Sequence, residues 1–432
     1  MKSPQSSGVS RRQFLRRTVA AAALPMIVPG SVLGLRGAVA PSNRIGFGII
    51  GFGNRARETL PTFLSFPEIQ YVAVSDCRED RRKGGKQMVD NHYGNSDCKE
   101  YEDFRELLAR KDVDAVSIAT GTRWHGIASM YAARAGKDIY CEKPVSLTIA
   151  EGRALVNTCR AFGTVYQAGT QRRSTASYRF AVEMVRQGRI GRLSNIEMQV
   201  WTGPEVPHEK PAPVPAGWNY DMWLGQSPWY PFVPGRVNSW QCFWDTSDGL
   251  MTDMGCHYTD QMQWALNCDN SGPVEFEAKA EFPDPVKYCS DTPVTGVARC
   301  TYPNGVNGIM YQRKAFDDRY IKFVGEEGWI QVAEAADVVT AEPKSILSLR
   351  AAGGSGWGET SDHIRDLLNC IRKRSQTICN PEVAHRAITI CQAWTISMRL
   401  GRKLKWDPVK EKFDLEEANR MLAREPRAPW RI

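Results

Sequence analysis

Two hydrophobic rhythms divide the chain. From about residue 44 to residue 168, short apolar runs alternate with stretches whose apolar positions recur every three or four residues. Arg44 to Ile50, Ile69 to Ser75, Val113 to Ala119, Asp138 to Cys141 and Thr164 to Ala168 read as buried strands. A helix follows the first strand through Leu60 and Phe63. Tyr101 to Arg110 is predicted helical from the Phe104/Leu107/Leu108 spacing, and so is Trp124 to Ala135. Strands alternating with helices predict a doubly wound parallel sheet that binds its ligand at the carboxyl ends of the strands.

After Gly169 the rhythm changes. A helix from Ser177 to Gln187 leads into a strand from Leu193 to Trp201, and a proline-rich loop runs from Gly203 to Gly217. Strands then recur at Val274 to Ala280, Thr295 to Tyr302, Gly308 to Arg313, Tyr320 to Val324 and Trp329 to Val332. The predicted fold is therefore an α/β Rossmann domain plus an α+β domain with a largely antiparallel open sheet. Expected boundaries are 1–40 for a signal segment, 41–168 for the nucleotide domain and 169–432 for the second domain. Helices Ser361 to Lys373 and Pro381 to Leu400 are expected to pack back, and the tail from Trp406 to wrap the body.

The first strand runs into Gly51-Phe52-Gly53-Asn54-Arg55-Ala56, a Gly-x-Gly-x-x-Ala turn opening a helix. The first glycine permits the tight turn, the second lets the backbone approach a pyrophosphate, and the small third residue lets helix and strand pack closely. Phosphates would sit at the helix N-terminus. The second strand ends at Asp76, 20 residues past Ala56, where a carboxylate accepts the hydroxyls of an adenosine ribose. That carboxylate repels a 2′-phosphate and favours NAD over NADP; Arg78 nearby softens the preference.

Composition narrows the partners. Apolar content of 42% and charged content of 24% are those of an ordinary globular chain. The net charge of +8 is local: residues 1–40 hold six of the 56 basic residues and no acid, which leaves 50 bases against 48 acids. Nothing points to a nucleic-acid partner. The 12 cysteines form no Cys-x-x-Cys pair and read mostly as buried thiols.

Ser10-Arg11-Arg12-Gln13-Phe14-Leu15-Arg16, followed by a modest apolar run to Val28, has the pattern of a twin-arginine export signal. Pro25 and Pro29 make the run a poor membrane span. Ala38-Val39-Ala40 is a small-x-small cleavage site, but Pro41 would follow the cut. The expected partner is the twin-arginine machinery and the expected location periplasmic, or membrane-tethered if the signal stays attached.

Past Cys141 the chain reads Glu142-Lys143-Pro144. Here it resembles the Gfo/Idh/MocA oxidoreductases, in which such a triplet ends a late Rossmann strand. Thr120-Gly121-Thr122-Arg123-Trp124-His125 resembles that family's Thr-Pro-x-x-x-His loop, with Gly121 in place of proline. Trp218 to Gly225 is similar to its aromatic loop. Asp253-Met254-Gly255-Cys256-His257 resembles its Asp-x-x-x-His helix, with Asp248 upstream where many relatives have glycine. The resemblance spans residues 43–432 and implies a nicotinamide-dependent enzyme acting on a sugar or polyol, with an exported branch as nearest kin. It also implies a homo-oligomer, dimer or tetramer, built on the open sheet.

Oxidising a carbinol needs a hydride acceptor over the carbon and a base on the oxygen. Asp253 and His257 are four residues apart and share one helical face. His257 is the expected base, Asp253 orients the hydroxyl or raises the basicity of His257, and Lys143 stabilises the developing alkoxide. Burial is expected to lower the pKa of Lys143. The catalytic set is thus Lys143, Asp253 and His257. The cofactor set is Gly51, Gly53, Asn54, Arg55, Ala56, Asp76, Thr120, His125, Glu142 and Lys143. Arg172, Tyr220 and Trp223 join the catalytic residues as substrate contacts.

Blander uses compete. His125 either lines the nicotinamide pocket or caps its helix. Arg172 and Arg173 either bind substrate or form salt bridges. The aromatics near Trp223 either stack on a sugar or pack a core. Asp253, His257 and Asp260 share a face that could hold a metal, but no further ligand cluster completes one, so none is expected. Because free nicotinamide is scarce outside the cytoplasm, the cofactor is expected to stay bound and be recycled. A redox-assisted glycoside hydrolase is the alternative enzyme, and a non-catalytic sugar binder the third reading.

Overall fold

The computed structural model describes residue 40 and residues 43–314, 319–334, 338–349 and 359–431. The expected export signal falls almost wholly on residues 1–39, outside the described residues.

Six parallel strands form the first sheet: β1 (Ile45–Ile50), β2 (Ile69–Ser75), β3 (Lys99–Tyr101), β4 (Ala115–Ile118), β5 (Asp138–Cys141) and β6 (Tyr166–Ala168). The helices between them are α1 (Asn54–Leu64), α2 (Glu79–Tyr93), α3 (Phe104–Leu108), α4 (Thr122–Arg134) and α5 (Ile149–Phe162). Every residue of β1, β4 and β5 is buried, which is why these segments read as continuous apolar runs. The order β3-β2-β1-β4-β5-β6 reverses between β1 and β4, and the crevice opens at their carboxyl ends.

The helix predicted over Tyr101 to Arg110 is shorter than expected. Tyr101 belongs to β3, and Asp103 then accepts the N–H of Arg105 to start the short α3. The long α2 was not foreseen, because it buries only Gly85 and Val89 and so carries no apolar stripe. Gly85 lets α2 lie close to the sheet: a Cβ there would come within 2.9 Å of Phe52 and Val74.

The second region contains α6 (Ala176–Arg186), β7 (Leu193–Val200), α7 (Tyr220–Leu224), α8 (Pro234–Asn238), α9 (Leu250–Ala265), β8 (Glu275–Glu281), β9 (Thr295–Thr301), β10 (Asn307–Gln312), β11 (Tyr320–Gly325), β12 (Trp329–Ala333), β13 (Val338–Glu342), α10 (Glu359–Lys373), α11 (Pro381–Leu400), β14 (Leu404–Asp407), β15 (Lys412–Phe413) and α12 (Glu416–Asn419). Its nine strands order as β13-β12-β11-β7-β10-β9-β8-β14-β15. All neighbours are antiparallel except β7 and β10. Helices α6, α9 and α11 cover one face.

The limits of α11 match the sequence reading because its ends are chemically marked. Asn380 accepts the N–H groups of Glu382 and Val383, Pro381 opens the first turn, and Gly401 closes the helix at φ +61°. Ile364, Leu367 and Leu368 of α10 join a core cluster with Phe63, Tyr71 and Tyr140 of the first sheet and its helices. At the far end of the tail, the Trp430 indole is 3% exposed and lies 4.6 Å from the Trp124 ring. All twelve cysteines are free thiols and nine are buried. Among the described residues no helix is long and apolar enough to cross a membrane.

Candidate active site

The glycine turn after β1 is required twice over. Gly51 has φ +84°, and a Cβ on it would stand 2.6 Å from the Thr120 methyl. Gly53 is the N-cap of α1 and carries no side-chain cap, so the first N–H groups of the helix stay open to a ligand. Ala56 is buried behind the turn. At the end of β2, Asp76 Oδ2 accepts the Phe52 N–H at 2.7 Å, and Oδ1 accepts the Arg78 N–H at 2.8 Å. A carboxylate accepts about four hydrogen bonds, so Asp76 keeps acceptor capacity for hydroxyls. Burial holds its pKa above the ordinary value, against the pull of the Phe52 N–H and Arg81. Arg78 is committed elsewhere: it pairs with Asp80 at 2.7 Å and lies 4.0 Å over the Trp218 ring.

Gly51, Gly53, Asn54, Arg55, Asp76 and Thr120 line one cleft of about 490 Å³. A glycine turn, an open helix end and a buried carboxylate facing one space suit an adenine dinucleotide. Glu142, by contrast, lies under the cleft and accepts Arg55 Nε at 2.8 Å, which holds the Arg55 guanidinium above its usual pKa. His125 neither lines the cleft nor caps α4. It is 2% exposed, with Nδ1 2.6 Å from the Pro144 carbonyl and Nε2 3.1 Å from the Thr120 carbonyl. It therefore braces the loops after β4 and β5 against each other. The cofactor-binding role expected of His125 and Glu142 becomes a supporting one.

Lys143 follows β5 and reaches α9, where Nζ donates to Asp253 Oδ1 at 3.1 Å and to the Asp253 carbonyl at 3.0 Å. In an α-helix that carbonyl is also the acceptor for the His257 N–H, so the ammonium sits one turn from the imidazole. Burial opposes the charge on Lys143, but Asp253 and the neighbouring anionic groups outweigh it, and the pKa is raised. The expected lowering is thus overturned: a partner 110 residues away reverses the sign. His257 is 5% exposed and its Nδ1 has no hydrogen-bond partner among the described residues. Burial, reinforced by Arg172, Lys143, Arg55 and Arg319, pushes its pKa well below the ordinary value. The imidazole is therefore neutral at neutral pH and able to accept a proton. Asp253 turns its carboxylate to Lys143, so its place is to hold the ammonium.

The other substrate candidates are drawn away. Arg172 pairs with Glu334 at 2.5 Å and stacks 4.3 Å over Tyr258. Glu334 also pairs with Arg319 at 2.9 Å and accepts the Tyr258 hydroxyl at 2.6 Å. Tyr220 stacks on Trp223, with ring centres 5.7 Å apart, inside a small aromatic core. Trp223 lines the nucleotide cleft, away from Lys143. Asp260 gives both oxygens to Arg173, at 3.0 and 2.9 Å, and so is not free to ligate. Asp248, the departure at the family's glycine, is buried and paired with Arg424.

Residues 45–170 match a family model described as oxidoreductase family, NAD-binding Rossmann fold, and residues 190–432 match its partner, oxidoreductase family, C-terminal alpha/beta domain. The chain belongs to the Gfo/Idh/MocA family. It is accordingly an NAD-binding oxidoreductase acting on CH–OH groups. A 1,5-anhydro-D-fructose reductase of Ensifer adhaerens is 26% identical over 314 residues, covering 71% of this chain and 80% of the reductase. A myo-inositol 2-dehydrogenase of Thermotoga maritima is 28% identical over 145 residues, covering 34% of this chain and 42% of that enzyme. The crystal structure of an aldose-aldose oxidoreductase from Caulobacter crescentus, complexed with glycerol, superposes with a TM-score of 0.65. That match covers 84% of this chain and 99% of the other at 18% identity, and it shows the shared fold.

Proposed function

We propose that this Gfo/Idh/MocA protein oxidises or reduces a carbinol of a sugar or polyol, with His257 as the proton acceptor and Lys143 as the group that stabilises the oxyanion. The convergence of a cationic Lys143 and a neutral, unpartnered His257 on one turn of α9 carries this reading. Bound NAD supplies the hydride acceptor. His257 takes the hydroxyl proton, and Lys143, held by Asp253, donates to the oxygen as charge develops on it. Replacing His257→Ala should slow turnover about 10²–10⁴-fold while leaving NAD binding, followed by calorimetry, unchanged. Undiminished turnover on every sugar oxidised by the parent would sink the role. Glycoside cleavage needing only catalytic NAD would replace the dehydrogenase reading with the hydrolytic one.

The reading extends to export and assembly. The Arg11-Arg12 pair with its modest apolar run supports twin-arginine export to the periplasm with the cofactor already bound. The face of the nine-stranded sheet opposite α6, α9 and α11 offers a surface for a homo-oligomer. Cell fractionation with an Arg11→Lys/Arg12→Lys variant, and sizing of the purified protein, test the two points. An unchanged distribution or a strict monomer would remove the corresponding one.

A further inference from the structure

Arg123 is a buried cation with no counter-ion among the described residues. It stands in the first turn of α4 and is 3% exposed, yet it lines the nucleotide cleft. The one hydrogen bond of its side chain among the described residues runs from Nε to the Trp223 carbonyl at 2.7 Å. The guanidinium lies 3.9 Å over the Trp223 ring and 5.8 Å from that of Trp240, and Nη1 is buried without a partner. Other buried arginines are matched: Arg173 by Asp260 and Asp269, Arg172 by Glu334. Among the described residues no carboxylate pairs with Arg123. Burial lowers its pKa to about 10, which leaves it cationic at neutral pH. A fold that buries such a charge unpaired leaves a place for an anion from outside.

The surroundings say which end of the cleft the anion occupies. The charges acting on His257 are those of Arg172, Lys143, Arg55 and Arg319, whereas Arg123 acts on Cys77, next to Asp76. Two helix N-termini face this cleft, those of α1 and α4. Their N-caps, Gly53 and Gly121, both line it and neither carries a side-chain cap. Gly121 is itself explained by the arginine: a Cβ on it would stand 2.6 Å from Arg123 Nη1.

We propose that Arg123 binds a phosphate oxyanion of the adenine dinucleotide, supplying from β4's side a grip that complements the glycine turn after β1. The proposal rests on the nicotinamide reading. It is tested by calorimetry on the full chain stripped of nucleotide, using adenosine, ADP-ribose, NAD and NADP, with Arg123→Gln and Arg123→Lys. Arg123→Gln should weaken NAD and ADP-ribose about 10–100-fold, and leave adenosine unchanged. Arg123→Lys should recover part of the loss. If the anion is the diphosphate, NAD and ADP-ribose lose alike; if it is a 2′-phosphate, NADP loses and ADP-ribose does not. The nucleotide-free Arg123→Gln protein should melt no lower than the parent, because an unmatched charge has been removed. Equal affinities in parent and variant for all four ligands overturn the proposal alone. A lowered melting temperature with adenosine lost in parallel also overturns it, because the arginine would then be structural. A parent chain that binds none of the four overturns the nicotinamide reading together with it.

Discussion

At the end of the active site where the carbinol is proposed to react, each cation has its anion: Lys143 faces Asp253, and Arg172 and Arg319 share Glu334. At the nucleotide end Arg55 faces Glu142, but Arg123 has no carboxylate partner among the described residues, and the N-termini of α1 and α4 carry no side-chain cap. The contrast follows from what each end must do. Proton movement needs donors fixed before the substrate arrives, and paired charges are fixed charges. A ligand that brings its own negative groups is held best by donors left vacant for it. Preorganisation at one end and vacancy at the other are two uses of the same buried charge.

Lys143→Met should separate the two ends most sharply. Removing one positioned donor lowers turnover about 10²–10³-fold, and NAD affinity should hold within about 2-fold, since Lys143 lies outside the cleft wall. Equal losses in both would show that the ends act as one unit. The raised pKa of Lys143 adds that its charge persists through neutral pH, so the parent rate should show no loss of this group until above the ordinary lysine range.

Glu151 sharpens the comparison from below, because it braces both ends. Its buried carboxyl accepts the Leu147 N–H at 3.0 Å, just past Lys143, and Gln226 Nε2 at 3.3 Å, just past Trp223. Burial raises its pKa from 4.5 to about 7. A carboxyl raised on folding contributes stability that is complete below its unfolded pKa and is lost as pH rises through the folded one. The protein should therefore lose on the order of 3 kcal/mol between pH of about 4.5 and 7 from this group. Glu151→Gln should flatten the melting temperature across that window. An unaltered slope would place the pH dependence elsewhere.

What the sequence could reveal depended on how local its causes are. The Gly51 turn, Asp76 and the span of α11 were legible because backbone geometry fixes their spacing and marks their ends. The meeting of Lys143 with Asp253, one turn before His257, was legible through the resemblance and a four-residue helical step. The fate of His125, Glu142 and Arg172 was not, because their residue types suit a site while their partners, the Pro144 carbonyl, Arg55 and Glu334, are chosen by tertiary packing. Arg123 escaped notice for the same reason: the carbonyl and ring it leans on lie 100 residues away. One signal was present in Gly121, whose missing side chain marked an occupied space beside the loop. The helix α2 was hidden differently, since a helix that packs through Gly85 has no apolar period to display.

The slot holding Trp430 has a mechanical consequence. The chain leaves the second sheet at β14 and β15, then threads back so that this indole wedges beside Phe104 and Trp124, two side chains that also line the nucleotide cleft. To the peptide between β6 and α6, the α10 contact with the first sheet and the Lys143–Asp253 bond, the tail thus adds an aromatic plug between the two lobes. A hinge motion wide enough to part the lobes would have to draw that indole out of its slot.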